Sequence, residues 1–239
     1  MIRFENTEVS GWVAAIRGMR NPLNSWSKSD SFHGCRAGDY GHIDSYDCDE
    51  KCKSDCKFCI GSNDLKLMQQ LVKAGSDHSK FMRMINVTVD VTAPMYWWKE
   101  FDTYKVGTIR NSCSTMHTIH KKEFELDDFS HEKLFDMRDQ VDYSDSVKYI
   151  CNSKSTLRAL LRHLNSLREN YIATNDKAYW YEIIQLLPSS YNQRATVQLN
   201  YAVLRNAYHS RKNHKLDEWS VGFVEWVESL PYSELITEV

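Results

Sequence analysis

The run MINVTVDV, residues 84–91, constrains this chain most, because its β-branched residues alternate roughly with polar ones and predict a strand. It leads through Thr92 and Ala93 into Pro94, a residue suited to the first turn of a helix, and MYWWKEFDTYK then reads as that helix. Upstream, DLKLMQQLVKAG predicts a helix from Asp64, with Leu65, Leu67, Met68, Leu71 and Val72 apolar and Gly75 as its stop. Helical patterning returns downstream at TLRALLRHLNSLRENY, KAYWYEIIQLLP, NQRATVQLNYAVLRNAYHSR and DEWSVGFVEWVESLP. The block TIRNSCSTMHTI, residues 108–119, reads as a polar loop. The expectation is an α/β or α+β fold in one domain, with a mixed or antiparallel central sheet and a helix-rich C-terminal half.

Composition narrows the function classes. A chain of 239 residues, 42% hydrophobic and 26% charged, has the make-up of an ordinary soluble globular protein. Its net charge of −2 gives no global basic footprint, so nucleic acid is not expected as a partner, and any anionic ligand must be met by local positive groups. No apolar run approaches the ~18 residues of a membrane span, and MIRFENTEVSG lacks a signal-peptide core. A reducing, cytoplasmic setting without disulfides is expected for the seven cysteines.

Four of those cysteines crowd into DCDEKCKSDCKFC, inside a Gly-, Ser- and Asp-rich stretch over 27–63 that reads as a long loop or insert. Cys48, Cys52, Cys56 and Cys59 are spaced by three, three and two residues, a set that can wrap a structural zinc ion or hold an iron–sulfur cluster. The inner CxxxCxxC is also the spacing of radical-SAM clusters. The alternating strands and helices and the glycine stretch that such chemistry needs are not visible in the sequence. Structural metal and unligated thiols both remain open.

Two further groups of residues carry chemistry. If NYAVLRNAYHSR were one continuous helix, Asn200 and Arg211 would share a face about 16 Å apart, room for an elongated ligand. Arg211 could fork onto a phosphate or pair with a planar acidic ring, although a solvated surface arginine is the plainer reading. His78 stands ahead of the strand, and Lys99, Glu100, Lys105, Arg110, Asn111, Ser112, Cys113 and Ser114 follow it. A strand, a Pro-started helix and a polar loop can build a phosphate site, or merely a loop.

Taken together, these pieces resemble the flavin-dependent thymidylate synthase (ThyX) family over about residues 75–230. In that family a leucine–proline turn is followed by an asparagine-bearing helix, then an arginine and a histidine. Here Leu187-Pro188 is followed by Asn200, Asn206, Arg211 and His214, with Arg211-Lys212-Asn213-His214 one residue shorter than the usual RxxxHAQ. His78 lies sixteen residues before Pro94, as the family's histidine lies before its helix proline. The hallmark RHRxxSxNExSxR is altered: Thr103, Tyr104 and Lys105 occupy its first three positions, and Arg110 and Asn111 its asparagine and glutamate positions. Glu100 stands for the helix glutamine, and Ile184 for an arginine before the turn.

The resemblance implies a homotetramer that binds FAD between subunits and dUMP against the flavin, with NADPH and methylenetetrahydrofolate as co-substrates, yielding dTMP. By position, Arg211 would pair with the pyrimidine as the catalytic group. Glu100, Lys105, Arg110, Cys113 and Ser114 would line the nucleotide side, and His78, Ser79, Lys105, Asn200, Asn206 and His214 the flavin side. Trp97, Trp98 and Tyr104 are aromatics available for stacking or for core packing. Two alternatives stay open: a non-catalytic or redirected nucleotide-binding protein of the same fold, including a different C5 pyrimidine modification, and a protein whose cysteines act through metal.

Overall fold

The computed structural model describes residues 2–35, 56–136 and 153–238, with backbone alone for 33–35 and 56–57. The expected strand forms as β4 (Asn86–Pro94) and buries Val87, Val89 and Val91 on one face. It is flanked by β1 (Arg3–Ser10) and β6 (Asn192–Asn200), and β5 (Ile109–Ser112) pairs with the far side of β6. Every pairing is antiparallel, and β4 and β6 match from Asn86 opposite Asn200 to Pro94 opposite Asn192. The antiparallel form of the expected α+β class is therefore the one adopted.

Two readings need correction. NQRATVQLN is strand, not the start of a long helix. Ala195, Val197 and Leu199 are buried while Arg194, Thr196 and Gln198 are exposed, a period of two that suits a pleat against a core. Helix α7 (Tyr201–Arg211) begins only after it, so Asn200 caps that helix rather than riding on it, its Oδ1 accepting from the Val203 N–H at 3.1 Å. The stretch 108–119 is likewise more than loop, holding β5 and the short α4 (Thr115–Thr118). An edge strand with almost no buried residue shows no apolar alternation to read.

The apolar face of the sheet is covered by helices. They are α1 (Trp12–Arg20), α2 (Ser62–Lys73), α3 (Met95–Phe101), α7, a π-helical turn (Glu218–Phe223), α8 (Val224–Glu228) and α9 (Glu234–Thr237). Pro94 ends β4 and caps α3, so the helix turns back over the sheet at once. Gly75, at φ 106°, follows α2 in the left-handed region where glycine is unstrained. A second apolar cluster joins α5 (Ser153–Thr174) and α6 (Lys177–Leu186) to the segment from Ile119 to Phe129. Leu157, Leu161, Leu164 and Leu167 form the buried stripe of α5.

The cysteine-rich stretch is framed by an antiparallel pair, β2 (Phe32–Cys35) and β3 (Cys56–Cys59), with Cys35 opposite Cys56. Cys48, Cys52 and the Cys56 side chain lie outside what is described, and with them three of the four expected metal ligands. Among the described residues no cluster of three or more histidine, cysteine, aspartate or glutamate side chains is arranged to hold a metal. No helix among them is long and apolar enough to cross a membrane.

Candidate functional site

Helix α7 ends on Arg211, which reaches across to the end of α3. Its Nη1 donates to Glu100 Oε2 at 2.7 Å and its Nε to the Tyr104 hydroxyl at 2.9 Å. The guanidinium also lies over two rings, 5.6 Å from the centre of Tyr104 and 5.0 Å from that of Trp219. Stacking of this kind adds from ~0.5 kcal/mol at exposed sites to ~2 kcal/mol where the cation is desolvated. Charge, hydrogen bonds and rings together fix a side chain that has about two kcal/mol of rotamer freedom to lose.

Glu100 serves a second partner. His214 Nε2 lies 3.1 Å from the same Oε2, while its Nδ1 accepts the Leu216 backbone N–H at 3.2 Å. That backbone contact assigns the ring proton to Nε2, which donates it to Glu100. One carboxylate oxygen thus ties the end of α7 to the turn that follows it. Beneath lies the aromatic floor, where Trp97 stacks on Trp219 at 4.5 Å and on Phe101 at 5.0 Å. Trp97 and Trp98 are buried, so both are core residues rather than free stacking surfaces. Trp98 donates its indole N–H to the Gln193 carbonyl at 3.0 Å.

Just beyond Tyr104, Gly107 turns the chain at φ 81° against the start of α7. A Cβ there would sit 3.2 Å from a Val203 methyl and 3.4 Å from Asn200 Nδ2, so the turn is built for glycine. Lys105 lies two residues before this glycine, its carbonyl accepting the Thr108 N–H at 3.2 Å. Lys105 is exposed and makes no ion pair among the described residues. Arg110, on β5, pairs with Asp102 at 3.0 Å and covers the Trp98 ring at 5.0 Å.

The expected residues therefore divide. Glu100, Arg211 and His214 meet in one cluster, and Lys105, Arg110 and Asn200 stand on the elements around it. Cys113 and Ser114 link β5 to α4. The Cys113 amide donates to the Arg194 carbonyl at 2.9 Å, its carbonyl accepts from Gln193 Nε2 at 2.9 Å, and Ser114 caps α4. His78 is exposed in the turn after α2, and Ser79 donates to the Gly75 carbonyl at 3.0 Å; no described contact joins either to the cluster. Asn206 is exposed on α7.

Sequence reasoning missed two parts: Tyr104 as the acceptor for Arg211 Nε, and Trp219 as its stacking partner. The aromatic richness was the available signal, but only tertiary contact says which rings face the arginine.

The whole chain is similar in fold to thymidylate synthase X from Helicobacter pylori. One crystal structure of that enzyme with FAD and dUMP superposes with a TM-score of 0.60 at 16% identity, covering 99% of this chain and 96% of that one. A second, also complexed with FAD and dUMP, gives 0.62 at 15% identity, covering 99% and 97%. No protein-family model matches the sequence, and no curated protein does.

Proposed function

We propose that this chain is a flavin-dependent thymidylate synthase or a close variant, converting dUMP to dTMP with methylenetetrahydrofolate and NADPH. The observation that carries this reading is the convergence of Glu100 at the end of α3 and Tyr104 just after it with Arg211 at the end of α7 and His214 in the turn that follows. The family resemblance singles out these positions, and the likeness to thymidylate synthase X extends over nearly the whole chain.

The side chains available fit an anionic dinucleotide. Asn200 spends Oδ1 on its cap, so its Nδ2 is left as a donor; Asn206 and His78 are exposed, and Lys105 has no ion-pair partner among the described residues. FAD would be held by His78, Ser79, Lys105, Asn200, Asn206 and His214, and when bound it supplies the hydride chemistry. The protein's own contribution is binding and orientation. Arg211, stacked on Trp219, presents its planar guanidinium to the acidic edge of the pyrimidine and favours the anionic form of the ring. Lys105, Arg110, Cys113 and Ser114 would line the nucleotide side. Val106 and Ile109, 85% and 67% exposed, flank Lys105 and Arg110, and we assign their cover to further copies of the chain in a homotetramer.

A second reading is favoured by one observation: Arg211 already directs two donors at Glu100 and Tyr104. On that reading the protein binds a pyrimidine nucleotide without methylating it, or modifies C5 differently. Incubation with dUMP, methylenetetrahydrofolate, NADPH and FAD, with nucleotides resolved by chromatography, separates the two. Formation of dTMP supports the synthase. Saturable dUMP binding with no dTMP over many turnovers' time supports the second reading.

A further inference from the structure

Helix α9 is docked on α7 by two side chains one helical turn apart. Arg205 Nη1 donates to the Leu235 and Ile236 carbonyls at 3.4 and 3.1 Å, and also to the Glu238 carbonyl. Carbonyls at the end of a helix have no intrahelical partner, and the arginine supplies one. Four residues on, His209 meets the Ile236 backbone carbonyl as well. Leu235 and Ile236 are fully buried, so this segment is packed down as a strap.

The second of these side chains carries a defect. His209 Nε2 is shut off from solvent and meets no hydrogen-bond partner among the described residues, so the contact with Ile236 is made through Nδ1. In the neutral ring Nδ1 then holds the proton and Nε2 keeps a bare lone pair. A further proton on Nε2 would place an N–H and a positive charge where no acceptor stands. Burial first, then Arg205 and Lys212, hold the ring below the ordinary histidine range, and the Ile236 carbonyl offsets only part of this. The carboxylates nearby are engaged elsewhere or do not act on it. Glu228 on α8 accepts from Tyr208 at 2.8 Å, and Glu218 on the π-helical turn accepts from Tyr96. Glu225 on α8, Glu234 and Glu238 at α9, Lys80 and Arg83 in the 3-10 turn Lys80–Met84 and Arg194 on β6 have no part in the ring's ionisation.

The ring therefore takes its second proton more readily once the strap lifts and water reaches Nε2. We propose that residues 234–238 form a pH-released strap, held on α7 by Arg205 and neutral His209 and freed when His209 becomes an imidazolium. The sign follows from the ring binding its proton less readily docked than open. Docking is at full strength above the ordinary histidine value of 6.5 and weakens as pH falls below it. One proton changes the opening equilibrium by about tenfold per pH unit at most, and the loss levels off below the lowered value of the docked ring. Release bares Leu235 and Ile236, so the apolar surface under the strap becomes accessible only in acid. Neither Arg205 nor His209 belongs to the proposed nucleotide and flavin site, and the strap is independent of that reading.

The test is amide hydrogen exchange of the full chain at about pH 7.5 and about pH 5.5, corrected for the intrinsic exchange rate. It is read at Ile236 and Thr237, whose N–H groups donate to the Ser233 carbonyl at 2.8 and 2.9 Å, with the amides of β4 as internal reference. The wild type is expected to lose several-fold, up to about tenfold, protection at Ile236 and Thr237 on acidification, with β4 unchanged. His209→Gln keeps a donor for the Ile236 carbonyl and takes up no proton, so its protection should be equal at both pH values. Unchanged wild-type protection, an equal fall in His209→Gln, or a fall shared by β4 would each overturn the proposal. Where the glutamine variant docks poorly, the wild-type ring titration followed by NMR decides: the proposal requires His209 to titrate below 6.5, and titration at or above that value overturns it.

Discussion

Arg211 and Glu100, 111 residues apart in the chain, are joined by a hydrogen bond of 2.7 Å between ions of opposite charge. The carboxylate offsets the positive charge that the family resemblance assigns to nucleotide recognition. Glu100→Gln keeps the shape and an acceptor oxygen while removing that charge. It is expected to tighten dUMP binding by up to about fivefold, near the ~1 kcal/mol of a part-exposed ion pair, with stability little changed. Fluorescence or calorimetric titration of both proteins checks this, and weaker binding by the variant counts against it.

Arg211→Lys retains charge but not the planar fork. It loses either the Tyr104 or the Glu100 hydrogen bond, together with stacking on Trp219. About a tenfold loss of nucleotide affinity is expected, with flavin uptake preserved. Parallel loss of both ligands would show that Arg211 holds the site's structure rather than the nucleotide.

Asn200 has two roles to separate. As the cap of α7, Asn200→Ala should cost ~1 kcal/mol in urea unfolding. Asn200→Asp retains a good cap but places negative charge where an anionic dinucleotide is proposed. Unchanged stability with weakened FAD binding is the expected pair of results; undiminished FAD binding by the aspartate variant removes Asn200 from the flavin side.

The central unit of strand, Pro94 and helix was legible because its periods change cleanly at the proline. Strand β6 was not, since its apolar set, Ala195, Val197 and Leu199, runs without a break into the helical spacing of α7. Strand β1 left even less to read. It lies at a sheet edge, its pairing slips between Glu5 and Glu8, and Asn6 adopts φ 52°, so polar residues outnumber the buried ones. At the site, Glu100, Arg211 and His214 were reached through family spacing. Trp219 was not, because its place under Arg211 depends on the π-helical turn and on packing with Trp97.

The buried ion pair between Arg20 on α1 and Asp64 on α2, 2.6 Å apart, should dominate local stability. Asp64→Asn leaves Arg20 with an uncompensated charge, and a loss of ~3–5 kcal/mol is expected in urea unfolding near neutral pH. Burial pushes the Asp64 carboxyl up, but the Ser29 and Ser31 hydroxyls and Arg20 outweigh it and hold the group below its ordinary range. A loss under ~1 kcal/mol would mean that Arg20 is compensated elsewhere.

Asp90, on the polar face of β4, is held down to about 2 by the Thr196 hydroxyl, then by the Asn6 amide and Arg194. An unfolded aspartate titrates near ~3.9, so the folded chain binds fewer protons in between. Its stabilising effect is complete above about pH 4 and fades as pH falls towards about 2. Asp90→Asn should flatten the acid limb of stability across that window, as read from urea midpoints at several pH values. An unchanged acid limb would assign that dependence to other carboxylates.

Flavin binding is the property on which the proposed chemistry depends first. FAD is titrated into the purified full chain while visible absorbance and flavin fluorescence are followed, first alone and then with dUMP. Saturable FAD uptake with a perturbed flavin band is expected, and a further spectral change on adding dUMP that Arg211→Lys suppresses. A chain that is folded, purifies colourless and takes up no FAD, with or without dUMP, contradicts the proposed chemistry.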